Sequence, residues 1–328
     1  MPGHLHSHSQ YDIIMIMVII IITGSMLILT SAGDHTFWPT TSYASLTVGH
    51  INSNNSDANN KVIILTFGNA PKNQYLYAKP ILDKYGFKAS FFVVCNWIES
   101  EEKNGPRMTW QDIEELHNEG HDIEAKSMNH ERLTELSTGE LEYEVGQPKK
   151  CLNGHGINST IFGTPYGAGK DNSTVLDTIA KYYDFAITGF SDLMFLRCDG
   201  YKNFSSQTDC RTYFDNGTLT PVNRYSIRES SQDSYNRNYY NDTARIFEEF
   251  VREVNSQNEF NKNATTAIPI IAYHSLDNKT SPDSTNVVLF EKEMKYLFDN
   301  GFKVITMSDL GYDEENNFIY IRENGDSE

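Results

Sequence analysis

Four stretches that each follow a predicted strand hold the residues best suited to chemistry. They are Gly68 to Pro71, Lys126 to His130, Gly163 to Gly167, and His274 with Ser275. The imidazoles of His130 and His274 are side chains that hold divalent metals or transfer protons near neutral pH. A single histidine that ends an apolar strand is more often a structural hydrogen-bonding group, so the elements that carry these residues must be established first.

Short β-branched or aromatic runs alternate with amphipathic stretches from residue 61 onward, which predicts parallel β/α units. The predicted strands are Val62 to Phe67, Ala89 to Val94, a short one around Ile123, Ile161 with Phe162, Phe185 to Thr188, Ile268 to Tyr273 and Lys303 to Thr306. About six or seven such strands favour an α/β barrel or a doubly wound sheet. In either architecture, the chemistry belongs at the carboxyl ends of the strands.

Helix signals lie between these strands. Thr109 is a predicted cap for a helix that stops at Gly120, and Ser137 with Glu140 forms a capping box. The helix after Ser137 runs toward Cys151 and contains Pro148, which predicts a kink or a break. Further helices are predicted from Asn172 to Tyr182, through Ile246 to Val254, and through Phe290 to Leu297.

The pattern fails between Gly189 and Asp242, so residues 196–241 are predicted to be a long inserted loop region. Eight tyrosines and phenylalanines concentrate there, and they could bind sugar rings or anchor the loop to the barrel. The folded domain is expected to span residues 61–312. The acidic segment 313–328 is expected to be a frayed extension.

The amino-terminal 60 residues form an export segment (1–32) and a flexible polar linker (33–60). Ile13 to Leu29 is almost wholly apolar and spans ~26 Å as a helix, close to the thickness of the bilayer core. Whether this segment is cleaved as a signal peptide or retained as a membrane anchor stays open. Eight Asn-x-Ser/Thr acceptors also suit an extracellular surface or the outer face of a membrane.

The composition argues against two classes of partner. The chain of 328 residues carries 44 acidic and 27 basic side chains, a formal charge of -17, which disfavours nucleic acid and anionic membrane surfaces. Its four cysteines show no Cys-x-x-Cys spacing. Cys95 is either a buried thiol or paired with Cys151, and Cys198 with Cys210 could close a loop.

The order of five segments resembles the polysaccharide deacetylases of the NodB-homology kind, carbohydrate esterase family four, over residues 61–312. Leu65-Thr66-Phe67 before Pro71 resembles the opening Thr-Phe-Asp-Asp-Gly-Pro motif, and Lys88 to Val93 resembles the second strand. Glu119 to Ile123 introduces a segment similar to the His-Ser-x-x-His motif. Pro165-Tyr166-Gly167 and Ile271 to His274 resemble the third and last motifs.

This resemblance implies a distorted (β/α) barrel of about seven strands, and hydrolysis of N-acetyl groups on glycans with zinc or another divalent metal. In the family, one Asp of the opening motif is the general base, while a second Asp and two His residues hold the metal. His274 takes the general acid position, and the backbone N–H of Tyr166 takes the oxyanion position. Pro165, Tyr166 and Gly167 are expected to contact substrate.

The chain departs from the family at the positions that matter most. Gly68 stands at the base position, and Asn69 and Lys126 stand at two ligand positions, so that only His130 of the metal set is retained. Gly163 and Thr164 replace the Arg and Pro of the third motif. Metal binding is therefore doubtful, and the usual activity is expected to be impaired or absent.

Lys126 is expected either to take the place of the cation or to point into solvent. Three functions stay open: an exported metal-dependent deacetylase, a cell-surface protein that binds N-acetylated glycan without hydrolysis, and a structural envelope protein. If the export segment is not cleaved, the membrane is a further partner.

Overall fold

Seven parallel strands form a closed barrel in the computed structural model, which describes residues 61–102, 105–196, 224–233, 242–262, 264–277, 283–315 and 318–322. The barrel strands are β1 (Val62–Gly68), β2 (Ser90–Val93), β3 (Asp122–Ala125), β4 (Ile161–Gly163), β5 (Phe185–Phe190), β6 (Ile227–Ser231) and β7 (Ile270–Tyr273). An eighth strand, β8 (Lys303–Ile305), lies outside the ring. The predicted barrel of about seven strands is confirmed.

The barrel closes between its first and last strands. One edge of β1 pairs with β2, where Thr66 lies opposite Ser90. The other edge pairs with β7 along its second half, where Ile64 lies opposite Ile270. The amino-terminal half of the edge that carries β2 pairs with β8, so that Ile64 lies between Ile270 and Ile305.

Helices surround the ring of strands. They are α1 (Lys79–Tyr85, preceded by a wider turn Gln74–Ala78), α2 (Trp110–Asn118), α3 (Thr138–Asn153), α4 (Ser173–Ala180), α5 (Thr243–Ser256) and α6 (Val287–Asp299). The predicted capping boxes of α2 and α3 are both present, at Thr109 with Asp112 and at Ser137 with Glu140. These caps satisfy backbone N–H groups that a helix start leaves without partners.

Single turns and two-stranded ribbons complete the described part. Short 3-10 turns lie at Cys95–Trp97, Leu133–Glu135, Pro165–Gly167, Gln257–Glu259 and Met307–Asp309. The ribbons pair Glu101–Glu102 with Gly105–Pro106, Met194–Phe195 with Ala267–Ile268, Ser275–Asp277 with Ser284–Asn286, and Leu310–Asp313 with Phe318–Ile321.

The side chains of β1 point alternately to two apolar layers, one outside the barrel and one inside it. Ile63, Leu65 and Phe67 pack outward in the cluster that includes the helices. Val62 and Ile64 pack inward against Ile161 and Ile227 in the barrel interior. Since successive side chains of a strand face opposite sides, Thr66 and Gly68 lie on the inner side at the carboxyl end.

The predicted insertion is partly wrong. It was expected to be loop from residue 196 to 241, but Ile227–Ser231 forms barrel strand β6, paired with β5 and β7. Within this strand only Ile227 is apolar, so no apolar run marks it. Residues 197–223 and 234–241, which include Cys198, Cys210 and most of the inserted aromatic residues, lie outside the described part.

Two further expectations need correction. The helix α3 continues through Pro148 to Asn153 without a break, although proline removes one hydrogen bond of the helix. Burial of Leu141, Val145 and Leu152 on the same helix provides the packing that keeps it whole. The start of the predicted frayed tail is instead ordered, because Leu310–Asp313 pairs with Phe318–Ile321.

Cys95 and Cys151 form a disulfide, which resolves the alternative left open by the sequence. The bond joins the turn after β2 to the last part of α3. The predicted export segment and linker, residues 1–60, lie outside the described residues. No helix within the described ranges is both long and apolar enough to cross a bilayer.

Candidate active site at the carboxyl end of the barrel

The candidate site consists of residues that face the barrel interior near the carboxyl ends of four strands. Gly68 has the inward parity of Val62 and Ile64, and His274 has that of Ala272. Lys126 directly follows β3. Ile123 and Ala125 of this strand pack outward, so the alternation of side chains turns Lys126 inward. Glu229, two residues after the inward Ile227, completes the layer.

These residues line a cavity of about 350 Å³ that opens at the barrel end. Most residues predicted from sequence lie on its wall: Gly68, Asn69, Lys126, His130, Thr164, Tyr166, Gly167 and His274. Pro165 is buried next to them in the chain and is not part of the wall. Pro71 and Ser275, which belong to the predicted stretches, also lie on it. The wall further includes residues that the sequence did not single out, namely Trp97, Arg107, Phe190, Glu229, Ser231, Asp233 and Asp283.

Gly68 leaves a space that two neighbours approach closely. A Cβ atom at this position would lie 3.1 Å from Nε2 of His274 and 3.2 Å from Nζ of Lys126. The amine of Lys126 is therefore next to the place where a side chain of the family's general base would begin.

Lys126 is buried, with only 7% of its surface exposed, so the expectation that it points into solvent is wrong. Burial lowers the pKa of its amine, while the negative charges of Glu229 and Asp233 act in the opposite direction. Within the described residues its Nζ has no hydrogen bond or ion pair. Glu229 accepts a hydrogen bond of 2.7 Å from the hydroxyl of Thr66.

His130 is held between aromatic rings. It stacks on Trp97 at a centroid distance of 5.0 Å and meets the edge of Tyr166 at 4.8 Å. Burial, followed by the positive charge of Lys126, lowers its pKa to about 3. The ring is therefore neutral at physiological pH.

His274 is oriented by a carboxylate that the sequence did not reveal. Its Nδ1 lies 2.5 Å from Oδ2 of Asp233, and its backbone N–H donates to Oδ1 of the same residue. The hydroxyl of Ser231 donates to Asp233 at 2.9 Å. The Asp233 side chain is 1% exposed, so this pair fixes the ring with Nε2 directed to the Gly68 side.

Two polar residues tie the strand ends together. The Nε2 of Gln74, which is fully buried, donates to the carbonyl oxygens of Gly68 and His274 and so joins the ends of β1 and β7. Arg107 donates to the carbonyl of Asn69 at 3.1 Å and lies over the ring of Trp97. These contacts determine the shape of the cavity floor and one wall.

Backbone conformations at the site are unusual. Among the described residues, six that are not glycine have positive φ, and five of them belong to the site loops: Asn69, Ala70, Ser127, His130 and Tyr166. Such conformations cost energy and persist where surrounding contacts hold them. Asn69 tolerates this region better than most residues, and its Oδ1 is buried without a hydrogen-bond partner among the described residues.

The residues at the family's metal position do not suit a divalent metal. They provide one amide oxygen from Asn69, one amine from Lys126 and one imidazole from His130, with no carboxylate among them. Zinc is held by Cys, His, Asp or Glu, and a protonated amine offers only donors. At Gly163, a Cβ atom would lie 2.8 Å from the ring of Phe92, so the arginine of the family's third motif has no room in this arrangement.

A separate group of potential ligands lies before β3, at the opposite end of the strand from Lys126. Asp83, Glu119 and His121 have ligand atoms within 4.8 Å of one another. The ammonium of Lys79 already pairs with Asp83 at 2.9 Å and with Glu119 at 2.7 Å. These carboxylates therefore have a cation without any metal.

Sequence reasoning missed the residues that support the site, and the causes are local. Glu229 belongs to β6, where polar residues dominate, and Asp233 follows this strand by two residues. A weak signal was available, because Tyr225 and Ile227 alternate with polar residues as in a strand with one buried face. For Gln74 and Arg107 no signal exists in the sequence, since their roles depend on contacts with distant loops.

The comparisons with known proteins agree with the motifs. The family model described as "Polysaccharide deacetylase" matches residues 55–185. "Putative polysaccharide deacetylase YxkH" of Bacillus subtilis (strain 168) is 28% identical over 108 residues, which are 33% of this chain and 37% of that protein. "Gellan lyase" of Bacillus sp is 27% identical over 121 residues, 36% of this chain and 4% of that protein. The chain thus spans well under half of these relatives.

Similar solved structures include a family 4 carbohydrate esterase from Streptomyces lividans in complex with acetate. It is 14% identical, with a TM-score of 0.49, over 80% of this chain and 99% of the other. Another is BA3943 of Bacillus anthracis, described as a CE4 family pseudoenzyme, at 14% identity and a TM-score of 0.48 over 76% of this chain and 65% of the other. The match of residues 55–185 to the polysaccharide deacetylase model contains four of the five segments, all but Ile271 to His274, and confirms the resemblance found in the sequence.

Proposed function

We propose that this chain is an exported member of the polysaccharide deacetylase family that binds an N-acetylated glycan in the barrel-end cavity and lacks the family's metal-dependent hydrolysis. The observation that carries this proposal is the position of the Lys126 amine, buried 3.2 Å from where a Gly68 side chain would begin. Lys126, which donates hydrogen bonds, takes a position where the family has a metal ligand. Gly68, which has no side chain, takes the position of the family's general base.

The cavity wall suits a sugar. Tyr166 and Phe190 are 55% and 58% exposed, large values for aromatic rings at a polar cavity. Both rings are held in place: Arg132 lies over Tyr166 at 4.8 Å, and Phe190 packs against Gly167. Rigid aromatic faces next to hydrogen-bonding groups such as Arg107 and Asn69 supply what a pyranose ring requires, an apolar face and a polar edge.

Export is supported by separate observations. The disulfide between Cys95 and Cys151 is of the kind that persists in oxidising compartments. Asn158, one of the glycosylation acceptors, is exposed. Both agree with the apolar segment Ile13 to Leu29.

The binding half of the proposal is tested by calorimetry with N-acetylglucosamine oligomers. Phe190→Ala is expected to weaken binding about two- to tenfold, because a lost ring contact costs about 0.5–1.5 kcal/mol. Phe298→Ala is the matched control, since Phe298 is 56% exposed on α6, away from the cavity. No binding by the wild type, or equal effects of both variants, would contradict glycan binding in this cavity.

The catalytic half is tested by acetate release and metal analysis on the same sample. Wild-type protein with added zinc or cobalt is expected to release no acetate and to hold no stoichiometric metal. The triple variant Gly68→Asp, Asn69→Asp, Lys126→His restores a base and two ligands and is expected to gain metal. Acetate release by the wild type at a rate comparable with an active deacetylase would refute the proposal.

A further inference from the structure

Lys126 is unusual among the lysines of the described chain, because it is buried and has no partner for its amine there. It is 7% exposed, yet it lines both the main cavity and a small space of about 10 Å³ below it. The other buried charged groups around it are tied by hydrogen bonds, as Glu229 is to Thr66 and Asp233 is to His274 and Ser231. The amine is therefore a free nitrogen at the bottom of a cavity that opens to solvent.

Its surroundings favour nucleophilic chemistry. Burial lowers the pKa of the amine and so increases the fraction that is neutral at a given pH, and only a neutral amine is a nucleophile. Glu229 lines the same two spaces, and its carboxylate can accept and return a proton. The His274 ring lies on the other side of the Gly68 gap, and its Nε2 would be 3.1 Å from a Cβ atom there.

The absence of a side chain at Gly68 lets the amine and the imidazole face the same part of the cavity. A Cβ atom there would lie 3.1 and 3.2 Å from the two nitrogen atoms, closer than ordinary van der Waals contact, so no side chain separates them. The room for a reacting molecule is the cavity of about 350 Å³ that Gly68, Lys126 and His274 all line. An amine on the wall of this cavity, with no ion pair among the described residues, is not what a purely structural lysine requires.

We propose that Nζ of Lys126 forms an imine with a small aldehyde or ketone that enters the cavity. The nitrogen lone pair adds to the carbonyl carbon, and a proton passes from nitrogen to the carbonyl oxygen through Glu229. The second proton of the nitrogen then passes to this hydroxyl by the same carboxylate, the carbon–oxygen bond breaks with loss of water, and a carbon–nitrogen double bond forms. One amine and one carbonyl compound give one imine and one water, with no oxidant or reductant.

The proposal is tested by trapping the imine of the full-length protein with sodium cyanoborohydride. Glycolaldehyde and pyruvate are the probes, and peptide mass spectrometry at neutral pH gives the rate at each lysine. Lys126 is expected to be labelled at least tenfold faster than the exposed Lys150 and Lys303. Unfolding in urea is expected to remove this difference, because the advantage depends on the cavity.

Two variants assign the effect to the cavity. Lys126→Arg is expected to lose the fast label and to keep the slow labelling of Lys150 and Lys303. Glu229→Gln is expected to slow labelling of Lys126, since an amide cannot transfer the proton. Labelling of wild-type Lys126 no faster than of the exposed lysines with both probes overturns the proposal. The result is independent of glycan binding, which is measured without reductant.

Discussion

At the scale of single residues, the site shows how few substitutions alter the charge pattern of a barrel end. The family's metal position holds a positive ion bound by anionic and neutral ligands. Here Lys126 brings the positive charge on its own side chain, and Glu229 and Asp233 are the carboxylates whose charge acts on it. Because Gly68 has no side chain, His274 and Lys126 come close to its Cα, and the missing carboxyl group leaves no unpaired charge.

The pKa of His130 gives a direct test of this arrangement. Since burial and Lys126 lower this pKa to about 3, the ring is expected to stay neutral in NMR titrations from pH 8 to pH 4. Below its unfolded pKa of about 6.5, the unfolded chain binds a proton that the folded chain does not. His130 therefore destabilises the fold progressively as pH falls from about 6.5 to 3.

Removal of the neighbouring charge should shift this titration. Lys126→Met is expected to raise the midpoint of His130, whereas Lys150→Met, which removes a distant surface charge, is expected to leave it unchanged. A His130 midpoint near 6.5 in the wild type would show that the ring is not held in the buried position described.

Much of the site was predictable, because the residues on its wall directly follow strands. Gly68, Lys126, Tyr166 and His274 were placed by strand order alone, and the structure brings all of them to one cavity. What the sequence could not predict was the direction in which each side chain points, for example that Lys126 points into the barrel and is buried. The direction of the Lys126 side chain depends on which face of β3 lies inside the barrel, and packing of β3 against the neighbouring strands determines this face.

At the scale of elements, β3 has opposite electrostatic demands at its two ends. Its carboxyl end leads to Lys126, whereas its first residue, Asp122, and the inward-facing Glu124 two positions later carry carboxyl groups. Glu124 accepts hydrogen bonds from Ser159 and from the N–H groups of Thr160 and Ile161. Burial, then the charge of Asp122, raises the pKa of Glu124 well above its usual range.

Glu124→Gln is therefore expected to stabilise the protein at pH 8. The folded pKa lies above the unfolded one, so the stability that this carboxyl provides in its protonated form is lost as pH rises through the folded pKa. Glutamine keeps an acceptor oxygen and cannot ionise. We expect a gain on the order of 1 kcal/mol in urea unfolding at pH 8, which shrinks at pH 5.

The control for this prediction is Glu135→Gln, because Glu135 lies on an exposed turn. It is expected to change stability little at either pH. A clear loss of stability in Glu124→Gln at pH 8 would mean that the carboxylate form is the one that the fold requires.

The disulfide gives a second element-scale prediction. It closes a loop of 56 residues between the turn after β2 and helix α3. Replacing Cys95 and Cys151 together by Ala is expected to lower the free energy of unfolding by about 4 kcal/mol, as estimated from loop-closure entropy. Wild-type protein unfolded with reductant should show the same loss, and an unchanged midpoint in both samples would contradict it.

Elements with local signals were predicted well, and those without were not. The caps at Thr109 and Ser137 and the apolar runs of β1, β2 and β7 lie where the sequence indicates. Strand β6 was missed because its buried positions include Arg228, Ser230 and Ser231. A strand that completes a barrel between two neighbours does not need an apolar run when its polar groups find partners inside the fold.

At the scale of the whole molecule, the described chain depends on closure of the barrel. β1 pairs with β7 on one edge and with β8 on part of the other, and both partners come more than 200 residues later in the chain. Without them, N–H and C=O groups on both edges of β1 would be exposed next to an apolar interior. The stability of the barrel therefore depends on pairing between the first strand and the last strands of the folded part.

A chain that ends at residue 264 is expected to lose cooperative thermal unfolding, because β7 and β8 are absent and β1 keeps only β2. Circular dichroism against temperature measures this, with a chain that ends at residue 322 as the control that retains every described element. A cooperative transition in the shorter chain would show that the barrel folds without closure.

The pairing of Ile64 with Ile270 also fixes the order of events during synthesis. The first strand leaves the ribosome long before its closing partner is translated, and it waits with one open edge for most of elongation. If the chain crosses a membrane as it is made, this edge meets its partner only on the far side. The protein is then delivered in a form that a translocation channel can pass, and it acquires its cavity at its destination.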